Sequence, residues 1–237
     1  MLKICVLYPD LLGTYGDGGN ALVLAQRALA RGIEVDVRSV TIGAAIPPAS
    51  IYLLGGGEDG PQRLACDLAG EGGLVERVNE GGAVVAVCAG LQILGSSFAI
   101  EGDASYPGLG IVDAVTTRGA RRSVGEMATS VGERMLVGFE NHGGVTTLGA
   151  GVAAMGEMLV GRGNDGRVDG FRAARLWATY AHGPVLALNP WLADEILSEV
   201  TGHDLAPWPS VADRLYEERC AVLSTRRADG DRRSGHR

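Results

Sequence analysis

Residues 83 to 87 read Ala-Val-Val-Ala-Val, an apolar run entered from Gly81-Gly82 and left through Cys88-Ala89-Gly90. Such a run has no wet face and no dry face, so as a strand it must be covered on both sides. Covering both faces takes helices, and helical crossovers between successive strands make those strands parallel. The flanking sequence supplies the parts. Ile4 to Tyr8, Glu34 to Val40 and Ile51 to Leu54 read as further short strands. The Ala/Leu-rich stretch Asn20 to Arg31 and the segments Gln62 to Ala69 and Gly73 to Glu80 read as helices between them. From Gly90 the sequence Leu-Gln-Ile-Leu-Gly-Ser-Ser-Phe turns helical, and beyond Gly108 the stretches Ile111 to Thr117 and Met135 to Phe139 alternate as antiparallel strands do. Leu176 to Tyr180 predicts a last strand, and Pro190 to Thr201 and Ser210 to Val222 two closing helices.

The expected domain is a single α/β unit over residues 1 to 225. With 46% apolar and 21% charged residues, the composition is that of a chain that packs a core. No apolar run approaches the roughly 18 residues that cross a bilayer, and the N-terminus lacks a basic stretch followed by a long apolar one. A cytoplasmic protein without membrane insertion is expected. The formal charge is −7, yet residues 226 to 237 hold five Arg against two Asp, so they read as a basic, disordered tail on a more acidic body. An acidic body offers no electrostatic footprint for nucleic acid. The four cysteines stand without paired spacing, which signals no metal site and no disulfide framework. Lys3 is the sole lysine and no phosphate-binding Walker A loop occurs, so any ATP the reaction consumes is bound elsewhere.

Cys88 ends the most buried strand and begins a helix, with Ala86, Ala89 and Gly90 as small neighbours. A tight turn of that kind thrusts a nucleophile out at the sheet's carboxyl edge and points backbone N–H groups at a developing oxyanion. A cysteine ending an apolar strand is more often an inert core residue. Gly55-Gly56-Gly57-Glu58-Asp59 follows the strand Ile51 to Leu54 at the same edge, where open α/β sheets place their sites. Gly56 is the choice of second oxyanion donor. A thiolate attacking an amide needs a base that can later deliver a proton, which histidine does near neutrality. His182 follows the strand Leu176 to Tyr180 and is preferred over His142, which lies in the loop Glu140-Asn141-His142-Gly143-Gly144; His203 and His236 read as solvated. Asp17 and Asn20 sit in a glycine-rich loop that either lines the site or forms a turn. Cys5, Cys66 and Cys220 read as core.

In that order, the Gly-Gly-Gly loop, the elbow Val-Cys-Ala-Gly-Leu-Gln, the segment Gly-Phe-Glu-Asn-His-Gly-Gly and Tyr-Ala-His-Gly resemble the glutaminase domains of the cobyric acid synthase type, over about residues 3 to 222. The resemblance implies a class I glutamine amidotransferase fold, flavodoxin-like, with a mostly parallel sheet, helices on both faces and some antiparallel strands. It implies Cys88 as nucleophile, His182 as acid and base, and Gly56 and Ala89 as oxyanion hole. It also implies a glutamine pocket drawn from Arg122, Gly55, Gln92, Asn141 and His142, with no metal and no cofactor in this chain. Together with Tyr-Gly-Asp-Gly-Gly-Asn near the N-terminus, the set resembles glutaminase subunits that pair with an ATP- and Mg2+-dependent, MurT-like Mur ligase. Such a pair amidates the D-glutamate of lipid II, reached through the ligase. Alternatives are a cobyrinate-type amidotransferase and a regulatory subunit that keeps the fold without turnover.

Two departures from the wider class stand out. Where many relatives carry His-x-Glu, with the Glu orienting the His, this chain has Pro184, so an acidic group from the partner is expected to complete the site. Glu58 takes the place of a Gln often found after the glycines.

Overall fold

The structure, a computed structural model, describes residues 1–101 and 104–234, with side chains described through Ser224. Two six-stranded sheets are present. The first holds β1 (Leu2–Leu7), β2 (Val35–Val40), β3 (Ile51–Leu54), β4 (Ala83–Val87), and two later strands, β11 (Phe171–Ala173) and β12 (Leu176–Thr179), in the order β11-β12-β4-β3-β1-β2. Every neighbouring pair is parallel except β11 with β12. β3, β4 and β12 are buried at every position. Their Val, Ile and Leu side chains fill the space under helices on either side, which is why these three segments show no alternation in sequence.

One set of helices, α1 (Pro9–Leu12), α3 (Asp59–Glu71), α4 (Leu74–Asn79) and α5 (Ala89–Leu94), packs together; α2 (Gly19–Leu29), α6 (Val185–Leu188) and α7 (Pro190–Thr201) form another. An ion-paired seam joins α2 to α7. Arg27, almost fully buried, makes two 2.6 Å contacts to the Asp194 carboxylate, which also takes Arg31 at 2.9 Å. The forked geometry satisfies the buried guanidinium, without which burying it would be costly.

The second sheet is built on a long hairpin, β7 (Ala114–Val131) and β8 (Arg134–Leu148). It is completed by β5 (Ser97–Ala99), β6 (Ser105–Pro107), β9 (Gly156–Val160) and β10 (Val168–Asp169). Sequence alternation shows only the two ends of this hairpin. The middle of β7 is Arg118 to Gly125, polar and glycine-containing, and the pairing there slips from Arg118↔Gly144 to Ser123↔His142. A bulge of that size destroys the period-two pattern. The helix expected through Phe98 is also shorter. α5 stops at Leu94, Gly95 is extended, and Phe98 pairs with Thr116 as a fully buried strand residue. The closing helix α8 is described over Val211–Ser234. The tail expected at 226–237 falls beyond the residues whose side chains are described.

Candidate active site

β4 and β12 are parallel neighbours, with Val87 opposite Thr179. The Cys88 N–H donates to the Thr179 carbonyl at 2.9 Å, so the ends of the two strands are stitched together where Cys88 and His182 emerge. Cys88 has φ 52 and ψ −104. A side chain in that region costs on the order of 1–3 kcal/mol, held here by strand and helix packing. Gly90 makes the turn possible. A Cβ there would lie 2.6 Å from both Cβ and O of Leu54, and the Gly90 N–H donates to the Gly55 carbonyl. Burial pushes the Cys88 thiol up to about 12, with the Asp17 charge adding to it; the Ala89 N–H and Arg122 act the other way. At rest the sulfur is therefore a neutral thiol.

His182 is buried, and its Nδ1 lies 3.0 Å from Asp17 Oδ2. An ionised Asp17 can only accept here, which puts a proton on Nδ1, and a neutral imidazole then has its lone pair on Nε2. Nε2 has no partner, and neither does Asp17 Oδ1. Buried polar atoms are ordinarily paired, and an unpartnered imidazole nitrogen is open to a ligand. Asp17 thus corrects the expectation of an incomplete set. The carboxylate on His182 Nδ1 comes from the loop between α1 and α2, not from position 184. His182 is fixed by its backbone as well. It exchanges two hydrogen bonds with Phe139 of β8 (2.8 and 3.1 Å), and buried Asp169 accepts from the Thr179 hydroxyl (2.5 Å) and the Tyr180 N–H (3.0 Å) just before it.

The two histidine candidates separate on their partners. His142 Nδ1 faces the Gly144 carbonyl at 3.0 Å and its Nε2 faces Glu140 at 3.3 Å, while the ring stacks on Tyr180 at 3.8 Å. With an oxygen against each ring nitrogen, neither nitrogen of His142 is open to another group. It lines the cavity without serving as a base.

Beside Cys88 is a cavity of about 50 Å3 whose walls include Gln92, Arg122, Asn141, His142, Gln62 and Glu58. Arg122 stands in the β7 bulge and donates to Asn141 Oδ1 (2.6 Å) and to the Tyr15 hydroxyl (3.1 Å). Gln92 is held between Gln62 and Tyr180. Gly56 adjoins the site, and a Cβ on it would lie 2.5 Å from His182 Cε1, so only glycine fits. Its N–H donates to Asp17 Oδ2 at 2.9 Å in this structure. Gly55 lies outside the cavity wall, its carbonyl supporting the elbow. Asn20 is likewise away from the cavity; its Oδ1 accepts the Leu186 N–H at 2.9 Å and ties α2 to α6. Among the other cysteines, Cys5 and Cys66 are buried and Cys220 is partly exposed.

Sequence reasoning passed over Tyr15. Its ring lies 4.5 Å from that of His182, and its hydroxyl donates to Glu58 at 2.8 Å. Burial, with the Glu58 contact, holds that hydroxyl up at about 12, so it stays protonated. The signal was its place in Tyr-Gly-Asp-Gly-Gly-Asn, two residues before Asp17.

Solved structures share the architecture. A crystal structure of a glutamine amidotransferase superposes with a TM-score of 0.56 at 23% identity, covering 84% of this chain and 98% of that one. The PurLQS complex of Thermotoga maritima matches with 0.54 at 15%, covering 85% and 96%. Among curated proteins, the lipid II isoglutaminyl synthase (glutamine-hydrolyzing) subunit GatD of Staphylococcus aureus (strain N315) is 31% identical over 98% of both chains. The GatD subunit of Streptococcus pneumoniae (strain ATCC BAA-255 / R6) is 30% identical over 92% of this chain and 88% of its own. Residues 3–190 match the model of the CobB/CobQ-like glutamine amidotransferase domain, a stretch that begins in β1 and contains the elbow, the Asp17 loop and His182. A buried histidine with an unpartnered ring nitrogen and a strained cysteine at neighbouring strand ends fit that chemistry, and the chain belongs to the CobB/CobQ-like glutamine amidotransferase family.

Proposed function

We propose that this chain is the glutaminase subunit of a lipid II isoglutaminyl synthase, hydrolysing L-glutamine and passing ammonia to a MurT-like ligase subunit. The observation that carries the reading is His182, oriented by Asp17 with Nε2 unpartnered, at the strand end beside Cys88. His182 takes the thiol proton as the sulfur attacks the amide carbon of glutamine. The tetrahedral oxyanion is held by the Ala89 N–H and by the Gly56 N–H, which turns from Asp17 to the substrate. Asp17 then serves the imidazolium alone. His182 gives the proton to the leaving nitrogen, ammonia departs, and a γ-glutamyl thioester remains on Cys88. Water, deprotonated by His182, cleaves the thioester to glutamate and free thiol. Arg122, with Asn141, grips the α-carboxylate of glutamine, the match a guanidinium fork makes best.

Ammonia is consumed on the partner, which binds ATP and Mg2+, activates the D-glutamate carboxyl of lipid II and yields D-isoglutamine. The GatD names of two relatives covering nearly the whole chain support that acceptor. Among the described residues no helix is long and apolar enough to cross a membrane, and on this reading lipid II is reached through the partner in the cytoplasm. The test is glutamate release from glutamine by the co-expressed pair, wild type against Cys88→Ala. Equal release by the variant overturns the nucleophile. Depletion of the chain in cells is expected to leave unamidated glutamate in peptidoglycan stems by mass spectrometry; unchanged amidation overturns the acceptor.

A further inference from the structure

Arg122 walls two spaces. Beyond it from the glutamine cavity lies an open cleft of about 580 Å3 lined by Arg121, Arg122, Val124, Glu140 and Arg162. Its charge runs against that of the molecule, which is −7 overall. Glu140 is committed to His142 and to the N–H groups of Arg162 and Gly163. Asp165, at the rim, is paired with Arg167 at 2.7 Å. The guanidiniums of Arg121 and Arg162 have no ion-pair or hydrogen-bond partner among the described residues. Two unneutralised arginines in the wall of one cleft give it a positive field that attracts an anionic group.

An apolar pair stands at the edge of the cleft, with Val124 in its wall and Phe139 outside it. Val124 is 62% exposed and Phe139 40% exposed. Glu126 is paired with Phe139 and Val124 with Asn141, so both apolar side chains stand on one face of the hairpin. Exposed aliphatic and aromatic groups beside unpaired arginines make the composition of a protein interface core with a charged rim. We infer that this cleft seats an acidic segment of the synthetase subunit, with an apolar side chain of that segment resting on Val124 and Phe139.

The inference rests on the two-subunit reading above and adds where the partner binds. Ammonia released into open water is protonated and lost, so the partner must cover the mouth of the glutamine cavity, and this cleft borders it through Arg122. An anionic acceptor alone satisfies the arginines but leaves the apolar pair bare. Docking here also bears on turnover. Arg122 is tied across the glutamine cavity to Asn141 and Tyr15, so an acidic group arriving from the outer side competes for the same guanidinium.

The experiment uses the purified chain and a MurT-like ligase subunit, with Kd measured by calorimetry at two salt concentrations. Arg121→Glu with Arg162→Glu is expected to raise Kd at least about tenfold and to flatten its salt dependence. Val124→Ser, which leaves the charges untouched, is expected to raise Kd about three- to tenfold with no change in salt dependence. Unchanged thermal unfolding of each free variant shows that the fold is intact. If wild type binds and both variants bind equally well, the cleft is not the docking site and the two-subunit reading stands. Normal partner binding with a raised KM for the lipid acceptor instead assigns the cleft to that acceptor and overturns the inference. No binding by the wild type overturns the two-subunit reading and this inference together.

Discussion

The parallel sheet and the antiparallel hairpin make different contributions to one site. From the sheet come Cys88 at the end of β4, His182 three residues past β12, and Asp17 from the loop region between β1 and α2. From the hairpin come the cavity walls Arg122, Asn141 and His142, and the backbone clamp of Phe139 on His182. Strand ends are spaced by the ladder itself, so reactive groups placed there inherit a rigid geometry from a fully buried core. A bulged hairpin can re-aim one side chain without disturbing the layers beneath, which suits it to recognition. On the proposed function, chemistry and substrate grip are therefore separable, and substitutions in the two regions should fail in different ways.

The largest effect belongs to Cys88→Ala, which is expected to lower kcat by at least about 10^4-fold with glutamine still bound, measured by single-turnover glutamate release and by calorimetry. Gly56→Ala comes next. Its Cβ falls 2.5 Å from His182 Cε1 and 2.9 Å from Tyr15, so kcat should drop about 10^2-fold or more while thermal unfolding shifts only modestly. Arg122→Ala breaks the other region. Losing a charge-assisted grip worth about 1.5–3 kcal/mol should raise KM by about 10- to 100-fold with kcat much less changed, and Arg122→Lys should not restore it. A kcat loss without a KM change would merge the two regions into one function.

The smallest effect is on stability and is read against pH. Burial raises the Asp169 carboxyl from its ordinary 3.8 to about 6, although the Thr179 and Tyr180 contacts oppose the shift. The folded state then holds this proton more tightly than the unfolded state does. That contribution is full below 3.8 and is lost as pH rises through about 6. Between pH 4 and 7 the wild type should lose Tm relative to Asp169→Asn, whose amide cannot ionise. Parallel curves for the two proteins would remove Asp169 as the cause.

The same division explains what could be seen in the residues alone. β3 and β4 begin and end where their apolar runs do, because strands buried on both faces announce themselves as unbroken Val, Leu and Ala. The placement of Cys88 and His182 at strand ends was legible because each follows such a run. The bulge between Arg118 and Ser123 was not, since polar and glycine residues carry no period and the register is set by the partner strand. Asp17 was legible only as half of an alternative. It lies 165 residues from His182, and nothing local distinguishes a carboxylate that caps a turn from one that holds an imidazole. Its absence from the expected position at Pro184 suggested an outside donor, where the fold had one at the next strand end but two.

The central claim is that one chain carries the complete set of Cys88, His182 and Asp17. Asp17→Asn keeps the size of the side chain and an oxygen for the Gly56 N–H but withdraws the negative charge that fixes and stabilises the His182 imidazolium. Measured as kcat for glutamine hydrolysis in the assembled pair, it should fall about 10^2- to 10^4-fold with KM little changed. A kcat equal to that of the wild type would contradict the account and return the orienting acid to the partner subunit.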